Sequence, residues 1–277
     1  MRLGAPIFAD KSTPDAWIQA VQSKSYRAAN CPLEPNASDE AVRDYARAAR
    51  RADILIAEVG AWSNPLSPDE QERRAAIEKC KNSLDLAERI GAHHCVNISG
   101  SRSKQWDGPH PDNLSEETFE MIVQTTREIV DAVRPTRTFY TLETMPWAFP
   151  DSPQSYLRLI EAIDRPGFGV HLDPVNMMNS PYRFFGNADF LRECFSVLGP
   201  HIKGAHAKDI TLGTHLTVHL DEARPGQGSL DYRVLLGEMN KLDADVPLML
   251  EHLPGEDDYD LAAAFVRSVA DELGLSL

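Results

Sequence analysis

Ile54-Leu55-Ile56-Ala57-Glu58-Val59 opens a stretch that runs through Ser67-Pro68-Asp69-Glu70 and Gly91 to His94-Cys95-Val96-Asn97-Ile98. Its two ends are short apolar runs of strand length. Between them Ile77, Cys80, Leu84 and Ala87 recur at spacings of three and four, which places them on one face of a helix. Ser67 is the expected N-cap, with Pro68 in the first turn and Glu70 as the capping-box acid. Gly91 suits the left-handed position just past the helix end. The unit reads strand, helix, strand.

Working outward, the same alternation fills the chain. Apolar runs recur at 3–8, 26–30, 54–59, 94–98, 138–143, 168–173, 202–206 and 247–251, eight in all. Amphipathic segments separate them. The last presents Ala262, Phe265, Val269 and Leu273, and Thr13-Pro14 and Ser152-Pro153 give further helix starts with Pro in the first turn. Strands joined through helices are parallel, because only a long crossover returns the chain to the same end of a sheet. No Gly-x-Gly-x-x-Gly follows any strand, so an open dinucleotide-binding sheet is disfavoured. No stretch has the composition of a linker. The expected architecture is one α/β domain over 1–277, a closed (β/α)8 TIM barrel, whose typical length is ~250 residues.

Charge and cysteine content narrow the function. The chain carries a net charge of −14, and such an acidic surface repels phosphate backbones and anionic lipid, so neither nucleic acid nor membrane is an expected partner. No apolar run approaches the ~20 residues of a membrane helix, and the first ten residues read as a strand, not a signal peptide. Cys31, Cys80, Cys95 and Cys194 form no close pair, which points to reduced thiols and a cytoplasmic protein.

In such a barrel, chemistry belongs where strands end and the following loops begin. The fifth run ends Tyr140-Thr-Leu-Glu143, the sixth Gly169-Val-His-Leu-Asp173, the seventh Ile202-Lys-Gly-Ala-His206, and the eighth Leu248-Met-Leu-Glu251. Each residue alone has an ordinary explanation as a cap, a turn or a core histidine. Four in succession at one end of neighbouring strands are different. Their three carboxylates would repel one another unless a cation neutralised them. With one imidazole and no thiolate the site is hard, which favours Mn²⁺, Mg²⁺ or Co²⁺ over structural zinc.

With these residues the chain resembles the xylose isomerase-like TIM-barrel superfamily, in the branch of sugar phosphate isomerases and epimerases. Leu172-Asp-Pro-Val-Asn176, His206-Ala-Lys-Asp209 and Pro225-Gly-Gln-Gly-Ser-Leu-Asp231 carry the likeness with Glu143 and Glu251. The resemblance implies one divalent cation held by Glu143, Asp173, His206 and Glu251, Mn²⁺ first, with Mg²⁺, Co²⁺ or Zn²⁺ as alternatives. It implies a carbohydrate substrate, a homo-oligomer, and Glu143 and Glu251 as the pair that moves a proton on and off the carbon beside a carbonyl. One departure stands out: relatives often carry His three residues after the sixth-strand Asp, where this chain has Asn176. Asn can hydrogen-bond a hydroxyl but cannot shuttle a proton at neutral pH.

Further expected substrate contacts are Glu58 and Trp62 toward a sugar hydroxyl, and Lys208 and Arg224 toward an anionic or hydroxyl group. Trp62, Trp106, Trp147, Tyr182, Phe184 and Phe185 fall in loops on the expected active-site side, where rings could stack on a sugar's CH face. His171 shares the inward face of Asp173, and Asp209 reads as a turn cap. Two reactions stay open. One is sugar isomerisation or epimerisation. The other is a lyase that cleaves a 3-keto-glycoside (a C–O or C–C lyase of the C-glycoside deglycosidase kind), which would bring a small second subunit. DNA repair in the manner of endonuclease IV would need many more His ligands and a basic groove. A non-catalytic module would have lost the four ligand-type residues.

Overall fold

The computed structural model describes residues 1–277. The barrel starts with β1 (Arg2–Ala5), α1 (Pro14–Ser23), β2 (Ala28–Ala29) and α2 (Asp39–Arg51). Then come β3 (Leu55–Ile56), β4 (Glu58–Gly60), α3 (Glu70–Ile90), β5 (His94–Asn97), α4 (Glu116–Val133), β6 (Phe139–Glu143) and α5 (Pro153–Ile163). β7 (Phe168–Leu172) is followed by a short α6 (Pro181–Phe185) and by α7 (Asn187–Leu198). After β8 (Ile202–Ala207) a hairpin of β9 (Asp209–Leu212) and β10 (Leu220–Ala223) precedes α8 (Tyr232–Met239), β11 (Pro247–Leu250) and α9 (Glu256–Leu273).

The main sheet runs β3-β2-β1-β11-β8-β7-β6-β5-β4, and every pairing in it is parallel. Its two ends are one strand. Ala57 joins β3 to β4, donating its N–H to Ala29 O at 2.8 Å and accepting from His94 N at 3.1 Å. β3 pairs with β2 while β4 pairs with β5, so the sheet closes on itself as an eight-stranded barrel with the helices outside. Each of the eight apolar runs overlaps one barrel strand, the third run covering β3 and most of β4. No helix is long and apolar enough to cross a membrane.

Local signals account for most boundaries. Thr13 and Ser152 cap their helices through bonds from Ala16 N and Ser155 N, with Pro in the first turn, and Gly91 ends α3 at φ 78°. The start of α3 differs from expectation. Its N-cap is Asp69, not Ser67: Asp69 Oδ1 accepts from Gln71 N (2.8 Å) and Glu72 N (3.0 Å). A carboxylate oxygen satisfies two orphan donors at once and suits the helix dipole. Ser67 instead donates to Glu72 Oε2 at 3.0 Å, so the acid that answers it is Glu72, not Glu70.

The β9–β10 hairpin was not expected, and Asp209 anchors its base. The buried Asp209 carboxylate accepts backbone N–H bonds from Ile210, Gly226, Gly228 and Leu230, each at 2.9 Å. This explains the glycines of residues 225–231. Gly226 takes φ +90°, and a Cβ on Gly228 would lie 2.3 Å from Asp209 Oδ1.

Candidate metal centre

Four strands deliver the expected ligand-type side chains to one point. Glu143 is the last residue of β6, Asp173 and Glu251 directly follow β7 and β11, and His206 is the penultimate residue of β8. Glu143, Asp173 and His206 are buried and Glu251 is largely so. One donor atom from each lies within 4.8 Å of all the others. His206 Nδ1 is 2.9 Å from Glu251 Oε2, 3.0 Å from Glu143 Oε1 and 3.8 Å from Asp173 Oδ2.

Neighbouring bonds orient these groups. Asp173 Oδ1 accepts from Val175 N (3.0 Å) and Asn176 N (3.1 Å), which turns Oδ2 toward the cluster. Asn176 Nδ2 donates to Glu143 Oε1 at 3.2 Å and to Thr144 O at 3.1 Å. Asp173 Oδ2 and Glu251 Oε2 are buried without a hydrogen-bond donor. Three carboxylates and one imidazole around a shared point are a donor set that fits a hard divalent cation.

Charge in the cluster is strongly coupled. Burial and the negative charge of Glu251 push the Glu143 carboxyl up. For Glu251 burial acts the same way, but His206 and Lys208 more than offset it and hold the carboxyl low. Burial opposes the imidazolium of His206, yet Glu251 and Glu143 raise it well above its ordinary value.

Three of the expected substrate contacts, Lys208, Arg224 and Glu58, are not in the wall of the cavity above the cluster. Lys208 lies among the acids with its side chain buried. Its Nζ is 2.9 Å from Asp173 Oδ2, Glu251 Oε2 and Glu222 Oε1, ion pairs without hydrogen-bond alignment. Concentrated carboxylate charge in a dry interior draws in the nearest ammonium. Arg224 turns away to Asp258, 3.4 Å distant, and stands outside the cavity wall. Glu58 begins β4, two residues short of the strand's end, so its side chain points into the barrel below the cavity. There it accepts from Asn30 Nδ2 at 2.7 Å.

Above the cluster opens a cavity of about 390 Å³ walled by Glu143, Glu251, Asn176, Trp62, Trp106 and Trp147 among others. Trp147 is tied by its Nε1–H to Asp107 O at 2.8 Å. Only these three of the six loop aromatics reach it. Phe184 is in the core, while Tyr182 and Phe185 are 91% and 76% exposed and line a separate surface hollow. Glu222, also in the cavity wall and 3.2 Å from His252 Nδ1, was not foreseen. The alternation in Leu220-Asp-Glu-Ala223 is its sole sequence signal, and only pairing with β9 folds it back over the site.

The model of the xylose isomerase-like TIM barrel family matches residues 18–269. The chain belongs to this family. A search of curated proteins found no match. Among solved structures, one similar to this xylose isomerase-like protein is D-psicose 3-epimerase with D-tagatose from Clostridium cellulolyticum H10. Identity is 16%, coverage 100% of both chains and TM-score 0.69. Another is 3-keto-D-glucoside 4-epimerase from E. coli, at 14% identity, covering 97% of this chain and 99% of that one with TM-score 0.71. A third is a xylose isomerase-like TIM barrel protein from Mycobacterium smegmatis in complex with magnesium. It has 14% identity, covers 98% and 96% of the two chains, and gives TM-score 0.69. At such identities the likeness is one of fold.

Proposed function

We propose that this xylose isomerase-like barrel is a divalent-metal-dependent isomerase or epimerase of a sugar or keto-sugar, working by proton abstraction beside a carbonyl. The observation that carries the reading is the convergence of Glu143, Asp173, His206 and Glu251 at the floor of a tryptophan-walled cavity. These four side chains would hold the cation, Mn²⁺ first, with Mg²⁺, Co²⁺ or Zn²⁺ as alternatives. Bound there, a divalent cation supplies Lewis-acid stabilisation to oxygen charge that builds as the neighbouring C–H breaks.

The chain's own groups do the rest. Glu143 and Glu251 enter from strands separated by β7 and β8, so one can take the proton from the carbon and the other return one. Asn176 steadies Glu143 through its amide. Trp62, Trp106 and Trp147 offer faces for the CH surface of a sugar ring. The acidic wall, with Glu222 beside Glu251, favours an unphosphorylated substrate.

The test is incubation with Mn²⁺ in D₂O against a panel of ketoses and 3-keto-glycosides. Deuterium incorporated at one carbon, without fragmentation, is the expected result. Release of an aglycone, above all with a co-purifying small subunit, would move the protein to the lyases. No exchange with any carbonyl sugar would overturn the proposal. The partner proposed is a second copy of the chain, supported by the exposed rings of Tyr182 and Phe185 on α6.

A further inference from the structure

Beneath the four ligand-type side chains the barrel holds a second polar layer that the proposed chemistry does not use. It consists of Glu58 on β4, His94 on β5 and His171 on β7, all buried. Asn30 Nδ2 holds Glu58 Oε1 at 2.7 Å, which aims Oε2 between two imidazoles. Oε2 is 3.7 Å from His206 Nε2 and 3.6 Å from His94 Nε2, and it has no closer donor. His94 Nε2 is already 2.9 Å from His171 Nδ1. His206 Nε2 thus faces Glu58 Oε2 across 3.7 Å, an ion-pair distance that a small shift would close to a hydrogen bond.

The two nitrogens of His206 therefore face different worlds. Nδ1 meets Glu143 and Glu251 at 3.0 and 2.9 Å, while Nε2 points down toward Glu58. We infer that Glu58 is the positioning residue of this centre, accepting the Nε2 proton of His206 and so presenting Nδ1 as the bare nitrogen to the cation. This rests on the metal-dependent reading above. Without an acceptor, a buried Nε2–H costs about 1–3 kcal/mol, and the proton would move to Nδ1, where it blocks coordination. A carboxylate behind a ligating imidazole fixes the tautomer, holds the ring plane and makes the nitrogen a better donor.

The layer is kept in shape by a missing side chain. Gly204 shares the inward face of β8 with His206, and a Cβ there would lie 2.3 Å from His94 Cε1. The glycine lets His94 lie close to the strand, where it bonds His171. A competing use of the same atoms is a second cation, because donor atoms of Glu58, His171 and His206 also fall within 4.8 Å of one another. That would require His206 to lose its Nε2 proton and bridge two ions.

The experiment is Mn²⁺ titration of the full chain after chelator treatment, for wild type and Glu58→Gln. Metal content per chain is read alongside, and the imidazole ¹⁵N signals of His206 are read on the metal-free protein at a pH high enough for the ring to be neutral. Glu58→Gln is expected to bind one Mn²⁺, as wild type does, but about 10–100-fold more weakly. Its His206 signals should change from one Nε2–H tautomer to a mixture. Should Glu58→Gln not fold, Asn30→Ala, which frees Glu58 Oε1, is expected to weaken Mn²⁺ binding by a smaller factor. Wild-type affinity in the variant that folds overturns the inference, as does a drop from two Mn²⁺ to one in Glu58→Gln. A wild type that binds no Mn²⁺ overturns the metal-dependent reading along with it; tight wild-type binding indifferent to Glu58 overturns this inference alone.

Discussion

Glu143 and Glu251 are the residues on which the proposed chemistry depends most. Each touches His206 Nδ1, and each reaches the cavity wall. Glu143→Gln or Glu251→Gln keeps shape and a coordinating oxygen but removes a proton acceptor. Either is expected to fold, to weaken metal binding, and to slow deuterium exchange by at least ~10²-fold, the usual scale of general-base loss. Asn176→Ala is expected to cost less, since Asn176 only steadies Glu143. Full exchange rates in both metal-loaded glutamine variants would refute the acid–base pairing. At this scale the sequence displayed chemical type better than role. The four ligand-type residues were visible because each ends its strand. Lys208 and Glu58 read as substrate contacts because their sequence neighbours do not say how deep they lie.

Among the elements, the β9–β10 hairpin and the turn that follows it carry the clearest dependence on one side chain. Asp209 gathers four backbone N–H groups and so joins the start of the hairpin to residues 226–230. Removing a buried acceptor strands its donors, at about 1–3 kcal/mol for each group left unsatisfied. Water can reach part of this turn, so Asp209→Ala is expected to lower stability by about 2–4 kcal/mol. Urea denaturation measures this, and a loss below about 0.5 kcal/mol, the scale of neutral surface changes, would show that the turn holds by other contacts. Because Glu222 rides on the same hairpin, loosening it should also weaken substrate binding. α3 and α9 were legible through their period, the starts of α1 and α5 through Thr13 and Ser152, and the end of α3 through Gly91, while the N-cap of α3 was not. The hairpin was not, since its strands are short, half-exposed and paired only with each other.

At the scale of the whole molecule, α6 presents an apolar surface feature away from the cavity. Tyr182 and Phe185 project from α6 beside Phe190, around a hollow of about 670 Å³. Exposed aromatic rings grouped at a concave surface suit burial against a second copy. Light scattering is expected to return a dimer or a larger even assembly at micromolar concentration. A monomer mass throughout that range would remove the oligomer proposal without touching the barrel or its candidate metal centre.

The eight barrel strands and their order, the parallel crossovers and the residue types at four strand ends were determined by the sequence alone. Those features follow from periodicity, caps and chain reach, which act over a few residues or one crossover. What only the tertiary structure decided is depth and direction. Ala57 bonding to strands on both sides closes the sheet. That closure sets the stagger between strands, and the stagger determines which inward side chain sits at the rim and which lies beneath it. Glu58 therefore lies under His206, below the cavity, Lys208 lies among the acids it neutralises, and Arg224 turns away to Asp258.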